Sequence, residues 1–159
     1  MDRRTVSIAL ALAPFASALP ARAQTPRNAR VALVLVEPEN PDSPFLAAFR
    51  RGMRDAGWVE GRNLTIDTQW GGGVGESLDK AIAGAMAGRP DVLVAGSGLV
   101  VRPVINAGVT LPVVFVYSGD PVAGGVVESY ARPGVNRTGV SLFSLQLMPK
   151  RIEFMKELM

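Results

Sequence analysis

The feature that most constrains this sequence is a regular alternation of short apolar runs with amphipathic segments of helical length. The first run, residues 30–36, is almost entirely β-branched or aliphatic, which is typical of a strand buried on both faces of a sheet. After a loop rich in proline and acidic residues, Ser43 and Pro44 combine an N-cap residue with proline at the first helical position. Gly57 then provides a stop signal. This part of the chain therefore predicts one strand followed by one helix.

The same alternation continues to the end of the chain. Further strands are predicted at 63–70, 91–95, 112–116 and 138–142, and further helices at 77–87, 100–107, around 122–131 and at 145–159. Apolar strands that alternate with helices indicate a parallel sheet covered on both faces. We therefore predict an α/β fold of the flavodoxin-like, doubly wound kind, with a mainly parallel five-stranded sheet.

The apolar positions of the first two helices recur at helical spacing, so they predict which helix faces pack on the sheet. These positions are Phe45, Phe49, Met53 and Ala56 in the first helix, and Leu78, Ala81, Ile82, Ala85 and Met86 in the second.

The first 23 residues have the organisation of an export signal. Arg3 and Arg4 form a basic start, and residues 6–19 are apolar and uncharged but short for a membrane-spanning helix. Residues 21–23 (Ala-Arg-Ala) offer small side chains for cleavage before Gln24. An uncleaved membrane anchor is the alternative. With cleavage, we expect a periplasmic protein.

Cleavage would leave a nearly neutral chain. The formal charge falls from +3 to +1, because Arg3, Arg4 and Arg22 are removed together with Asp2. The positive charge of the whole sequence therefore does not predict a nucleic acid partner. We expect residues 24–29 to form a short linker.

The composition excludes most enzymatic machinery. The sequence contains no Cys and no His, so it has no thiolate nucleophile, no imidazole base and no His or Cys metal site. Glu37 and Glu39 are the closest acidic pair, but nothing near them resembles a nucleophile or a metal partner. The glycines of residues 71–75 lack the spacing of a nucleotide-binding motif. We therefore predict no catalytic residue, metal or cofactor.

Ligands of open parallel sheets bind beyond the carboxyl ends of the strands, which selects four loops of this chain. The candidate ligand contacts in these loops are Ser43, Trp70, Ser97, Tyr117, Ser118 and Asp120. Serine hydroxyls suit a carboxylate, an aspartate suits an ammonium group, and aromatic rings suit an apolar part of a ligand. Each has a plainer alternative, because Ser43 and Asp120 are equally helix caps and Trp70 can equally pack on the sheet.

Several blocks of sequence have a familiar order. They are residues 45–53 (FLAAFRRGM), 57–63 (GWVEGRN), 89–95 (RPDVLVA), 119–122 (GDPV), 131–139 (ARPGVNRTG), 150–151 (KR) and 157–158 (EL). Together they resemble the tryptophan/tyrosine-type family of ABC-transporter substrate-binding proteins over residues 30–158. The resemblance implies a receptor, not an enzyme, whose two α/β lobes close around a small solute and deliver it to a permease in the inner membrane. An amino acid, aromatic in the first instance, is the implied ligand.

Two departures from the family pattern affect what we expect. Residues 97–99 (SGL) replace the usual Gly-Thr-Pro-like turn, which displaces its hydroxyl by one position. We also expect residues 30–143 to form the first lobe and residues 144–159 to be a crossover helix, with the second lobe missing from this copy. The broad apolar face of that helix predicts self-association. The alternatives are a periplasmic sensor or interaction domain that stands alone, and an enzyme of flavodoxin-like architecture.

Overall fold

The computed structural model describes residues 28–134 and 136–158, so the predicted export signal and most of the predicted linker lie outside the described residues. In chain order the elements are β1 (Ala29–Leu35), α1 (Pro44–Asp55), β2 (Leu64–Trp70), α2 (Glu76–Ala87), β3 (Val92–Ala95), α3 (Gly98–Asn106), β4 (Val113–Tyr117), β5 (Arg137–Ser141) and α4 (Ser144–Glu157). Most of the predicted boundaries lie within two residues of these.

The five strands form one sheet in the order β2-β1-β3-β4-β5, and every pair is parallel. The predicted fold class is therefore confirmed, and the strand order is that of flavodoxin-like sheets. The chain passes from β1 to β2 on one side and later returns to β3 on the other side. The point between β1 and β3, where the strand order reverses, is the usual position of a ligand crevice in such sheets.

Both faces of β1, an interior strand of the sheet, are buried, as its continuous apolar run predicts. Ala32 and Val34 belong to a core cluster that includes residues of α2 and α3. Leu33 and Leu35 belong to a second cluster, which includes Leu46 of α1. Residues of a strand alternate between the two faces, so β1 supplies both cores at once.

The predicted inner face of α2 is confirmed, whereas that of α1 is correct at Phe49 and Met53 but wrong at Phe45 and Ala56, which are exposed. In α2, the four residues Leu78, Ala81, Ile82 and Ala85 are buried. In α1, Phe45 is 69% exposed, and the buried residue is its neighbour Leu46. Phe49 and Met53 pack beside Leu46, at the helical spacing of three and seven residues. Phe45 lies about 100° around the helix axis from Leu46, at the edge of this stripe, and its side chain faces solvent.

The helix predicted around residues 122–131 is absent, and a series of turns takes its place in the structure. The amides of Val126 and Val127 both donate to the carbonyl oxygen of Pro121, at 2.8 and 3.1 Å. Gly125 adopts a left-handed φ of 63°, which interrupts helical geometry and which glycine tolerates at little cost. The two valines are nevertheless buried, so the segment contributes to the core without forming a helix.

None of the described helices is both long and apolar enough to cross a membrane. The last of them, α4, has no buried residue.

Candidate functional site

All strands are parallel, so the loops that follow β1, β2, β3 and β4 meet at one edge of the sheet. Ser43 follows β1 and Ser97 follows β3, so these two residues belong to loops on either side of the switch point. Tyr117, Ser118 and Asp120 follow β4, one strand further out. Trp70 ends β2, which lies one strand out on the other side of the switch point. The structure thus places all six candidates at the predicted edge, but only two of them flank its centre.

The loop after β1 carries a buried serine bonded to an acid. Ser43 is 1% exposed, and its Oγ donates a hydrogen bond to Oε1 of Glu37 at 2.6 Å. Ser43 occupies the N-cap position of α1, but its side chain does not cap the helix. The hydroxyl therefore orients a carboxylate at the end of β1.

The glycine loop after β2 is fastened to the end of β1. The amide of Gly71 donates to the carbonyl oxygen of Leu35 at 2.7 Å, and that of Gly73 donates to Val36 at 2.7 Å. Gly71 also lies close to α2, since a Cβ there would be 2.8 Å from Cδ1 of Leu78. Trp70 is half-buried against the core cluster that contains Leu35. This is the packing on the sheet that the sequence analysis gave as the alternative to a ligand contact. Gly71 thus permits close packing between the loop, β1 and α2.

Ser97 precedes the first residue of α3, and its Oγ is buried with no partner among the described residues. A buried hydroxyl without a partner costs free energy, so it is a natural contact for a bound polar group. Tyr117 lies beside this turn, because a Cβ on Gly98 would be only 3.2 Å from Cδ2 of Tyr117. The tyrosine is half-buried and packs against the core.

The side chain of Asp120 is hydrogen-bonded to backbone amides of its own loop. Its Oδ1 accepts hydrogen bonds from the amides of Val122 at 2.8 Å and Ala123 at 3.2 Å. The Tyr130 hydroxyl, together with these amides, holds the pKa of Asp120 below its usual value, although partial desolvation opposes the shift. The same bond raises the pKa of Tyr130. Asp120 thus binds backbone amides as the capping alternative predicted, although these belong to turns and not to a helix, and a ligand contact by Asp120 stays a prediction.

The loop after β4 is tied to the start of α4. The amide of Ser144 donates to the carbonyl oxygen of Ser118 at 2.7 Å, and Oγ of Ser141 donates to Gly119 at 2.5 Å. Ser118 itself is exposed. Movement of this loop would therefore be transmitted directly to the helix.

The charged side chains of the loops at this edge are all acidic. The loops at 36–43, 70–75, 96–97 and 117–121 contain four carboxylates and no Lys or Arg. From the sequence, Glu37 was considered only as a base and was not included among the candidate ligand contacts. The signal that would have added it is its position in the loop directly after the strand next to the switch point.

A groove of about 760 Å³ lies between α2 and α3, where it is lined by residues such as Met86, Asn106 and Thr110. These residues lie at the carboxyl ends of the helices and near the amino end of β4, so the groove is remote from the candidate edge. Within the described ranges, no group of three or more Asp, Glu, His or Cys side chains is arranged to hold a metal ion.

The model of one protein family, ABC transporter substrate binding protein, matches residues 35–159, which is most of the chain. This chain belongs to that family. The family is one of substrate-binding proteins and not of enzymes. A comparison with curated proteins finds no match.

Solved structures show the same fold. A conserved domain protein from Vibrio cholerae is 29% identical, with a TM-score of 0.61 over 72% of this chain. The ligand-free, open form of CD0873, a substrate-binding protein with adhesive properties from Clostridium difficile, is 23% identical, with a TM-score of 0.59 over 77% of this chain. An ABC domain from Streptococcus pneumoniae in complex with L-Trp is 22% identical, with a TM-score of 0.59 over 72%. The matched parts cover 39%, 43% and 38% of these proteins, respectively, so the chain spans less than half of their length.

Replacing Asp120 by asparagine should remove part of the acid sensitivity of this protein. The pKa of Asp120 is lowered in the folded state, so its charge stabilises the fold above the ordinary value of 3.8 and this contribution disappears as pH falls through the lower, folded value. We expect the melting temperature of Asp120→Asn to fall less than that of the wild type between about pH 5 and pH 2. Asp55→Asn, which removes the same charge from the exposed end of α1, is the control. Parallel profiles for the wild type and Asp120→Asn would contradict the role of Asp120 as a charged cap.

Proposed function

We propose that this chain provides one lobe of an exported solute-binding protein, which receives a small amino-acid-like solute at the carboxyl edge of the sheet and presents it to an ABC permease in the inner membrane. The observation that carries the proposal is the switch point between β1 and β3, where Ser97 brings a buried hydroxyl without a partner among the described residues. Such a group at such a point suits a polar solute.

An aromatic amino acid is the proposed first choice of solute. Two half-buried aromatic residues, Trp70 and Tyr117, end strands at this edge and can cover an apolar ring. The related fold from Streptococcus pneumoniae was solved in complex with L-Trp, which supports testing that amino acid first.

The outer face of α4 supports the proposal that this lobe has a partner. Leu145, Met155 and Leu158 are 66%, 62% and 87% exposed, and no residue of the helix is buried. An apolar surface of this kind is costly in water and is usually covered in the functional assembly. We expect either a second lobe or, in the isolated chain, a second copy to cover it.

Export is part of the same proposal and rests on the sequence of the first 23 residues. The exported chain should begin at Gln24, which the mass of the protein recovered outside the cytoplasm tests directly.

Titration of the chain with L-tryptophan, followed by amide NMR, tests the proposed site. We expect the amides of Ser97, Gly98 and Ser118 to shift, while those of Gly108 and Thr110 near the amino end of β4 stay in place. The affinity of a single lobe should be weak, because one lobe supplies part of the contacts and does not exclude water from them. Leucine and glutamate titrations measure selectivity, and sedimentation of the same samples measures self-association. The absence of shifts with all three amino acids, or shifts confined to the groove between α2 and α3, would contradict the proposal.

A further inference from the structure

Glu37 lies in the loop that follows β1, close to the switch point at the centre of the candidate edge. It comes two residues after the end of β1, the strand next to the switch point. Its backbone is fixed, because its carbonyl oxygen accepts a hydrogen bond from the amide of Gly72 at 3.1 Å, and the preceding Val36 accepts one from Gly73 at 2.7 Å. The side chain therefore starts from a well-defined point on the edge.

The carboxylate of Glu37 is also held in place. Oε1 accepts the 2.6 Å hydrogen bond from Ser43, which is the one buried polar residue among the described parts of the chain. Burying a hydroxyl is costly unless it is hydrogen-bonded, and here its hydrogen is given to a half-buried acid. Oε2 of Glu37 accepts no hydrogen bond from any described residue. One oxygen is thus anchored and the other is available.

The negative charge of Glu37 has no partner within the described ranges. The ion pairs found there are Arg50 with Glu60, Lys80 with Glu76, and Lys150 with Glu153. The loops of the candidate edge carry no Lys or Arg that would neutralise the acid. A half-buried carboxylate in this setting favours a cationic group as its complement.

The other acids near Glu37 are less suited to such a role. Oδ1 of Asp120 already accepts two backbone hydrogen bonds, and the Tyr130 hydroxyl helps to hold the pKa of this carboxyl below its usual value. Glu39 is exposed and its side chain makes no hydrogen bond to the described residues. Among these carboxylates, Glu37 combines a fixed orientation with an available oxygen.

We propose that Glu37 accepts the ammonium group of the amino-acid solute and that Ser43 is its positioning residue. This inference rests on the proposed function and replaces Asp120 as the expected ammonium partner. It assigns the lobe a preference for solutes that carry an amine over those that carry only a carboxylate.

A comparison of two probes, L-tryptophan and 3-indolepropionate, tests the inference, because the second lacks only the ammonium group. Glu37→Gln should weaken the binding of L-tryptophan about tenfold or more, since a charge-assisted hydrogen bond is lost. The same variant should leave 3-indolepropionate unchanged or bound more tightly, because a repelling carboxylate has been removed. Ser43→Ala should weaken only L-tryptophan, and by less. Glu39→Gln removes the same charge from the same loop and should leave both affinities unchanged.

The outcomes separate the two proposals. If the wild type binds none of the amino acids tested, the proposed function fails and this inference fails with it. If the wild type binds L-tryptophan and Glu37→Gln binds it equally well, only the inference is overturned. An equal loss for both probes in Glu37→Gln, with the melting temperature of the wild type, would likewise overturn it, because it would reveal a contribution that does not depend on the ammonium group.

Discussion

Leu93→Ala is expected to lower the free energy of unfolding by about 2–5 kcal/mol, the range found when a buried leucine is truncated and its cavity only partly closes. Leu93 is fully buried in β3, where its strand neighbours are Ala32 of β1 and Val113 of β4. It belongs to the core cluster beneath α2 and α3, so several elements lose contacts at once. Chemical denaturation followed by circular dichroism measures the change.

Leu99→Ala provides the matched control for this substitution. Leu99 lies in the first turn of α3 and is 58% exposed, so removal of its side chain leaves no cavity in the core. Its effect on the free energy of unfolding should stay within about 0.5 kcal/mol. If the two variants lost equal stability, the assignment of Leu93 to the centre of a packed core would be wrong.

The fold could be predicted where local pattern and tertiary environment agree. The apolar run of β1 requires burial on both faces, and only a central strand of a covered sheet supplies it. The helical spacing of Leu78, Ile82 and Ala85 likewise fixes the inner face of α2 without further information. In these elements the sequence period alone determines which residues meet.

The two incorrect predictions have different physical causes. The segment around residues 122–131 has apolar residues but contains Gly124 and Gly125, and backbone bonds to Asp120 and Pro121 stabilise turns there. The turn-forming glycines and these backbone bonds therefore determined the local structure, and the helical spacing of the apolar residues did not. In α1, both Phe45 and Leu46 fit an apolar stripe with Phe49 and Met53, but only Leu46 is buried. Which of the two is covered depends on how the helix packs on the sheet, and the sequence of a single helix does not encode that.

The position of the candidate site could be predicted, but the tasks of its residues could not. Parallel strands end at one edge, so the loops that carry Ser97 and Ser118 had to lie there. The lowered pKa of Asp120 depends in part on Tyr130, ten residues further along a segment that folds back as turns. The bond between Ser43 and Glu37 depends in the same way on the path of the loop that separates them. These are tertiary facts, which spacing along the chain does not contain.

Gly139→Ala should destabilise the outer part of the sheet by about 3 kcal/mol or more, at the upper end of the range for overpacking. A Cβ at Gly139 would overlap the carbonyl oxygen of its strand partner Phe115 and lie 2.5 Å from Cδ2 of the same residue. The clash is with backbone, so β5 has to move away from β4. Chemical denaturation measures the loss.

Gly52→Ala within α1, where nothing lies within 4 Å of the new methyl group, should instead raise stability by about 0.5–1 kcal/mol.

The consequence of Gly139→Ala should extend from the sheet to the site. Displacement of β5 disturbs the bond from Ser141 to Gly119 and the bond from Leu142 to Tyr117, so the loop that carries Ser118 loses its support. We therefore expect the amide of Ser118 to shift in the NMR spectrum of the variant, while that of Glu37, three strands away in the sheet order, does not. If β5 moved and the amide of Ser118 stayed in place, the bonds from Ser141 and Leu142 would not be what holds this loop, and solute contacts there would be independent of β5.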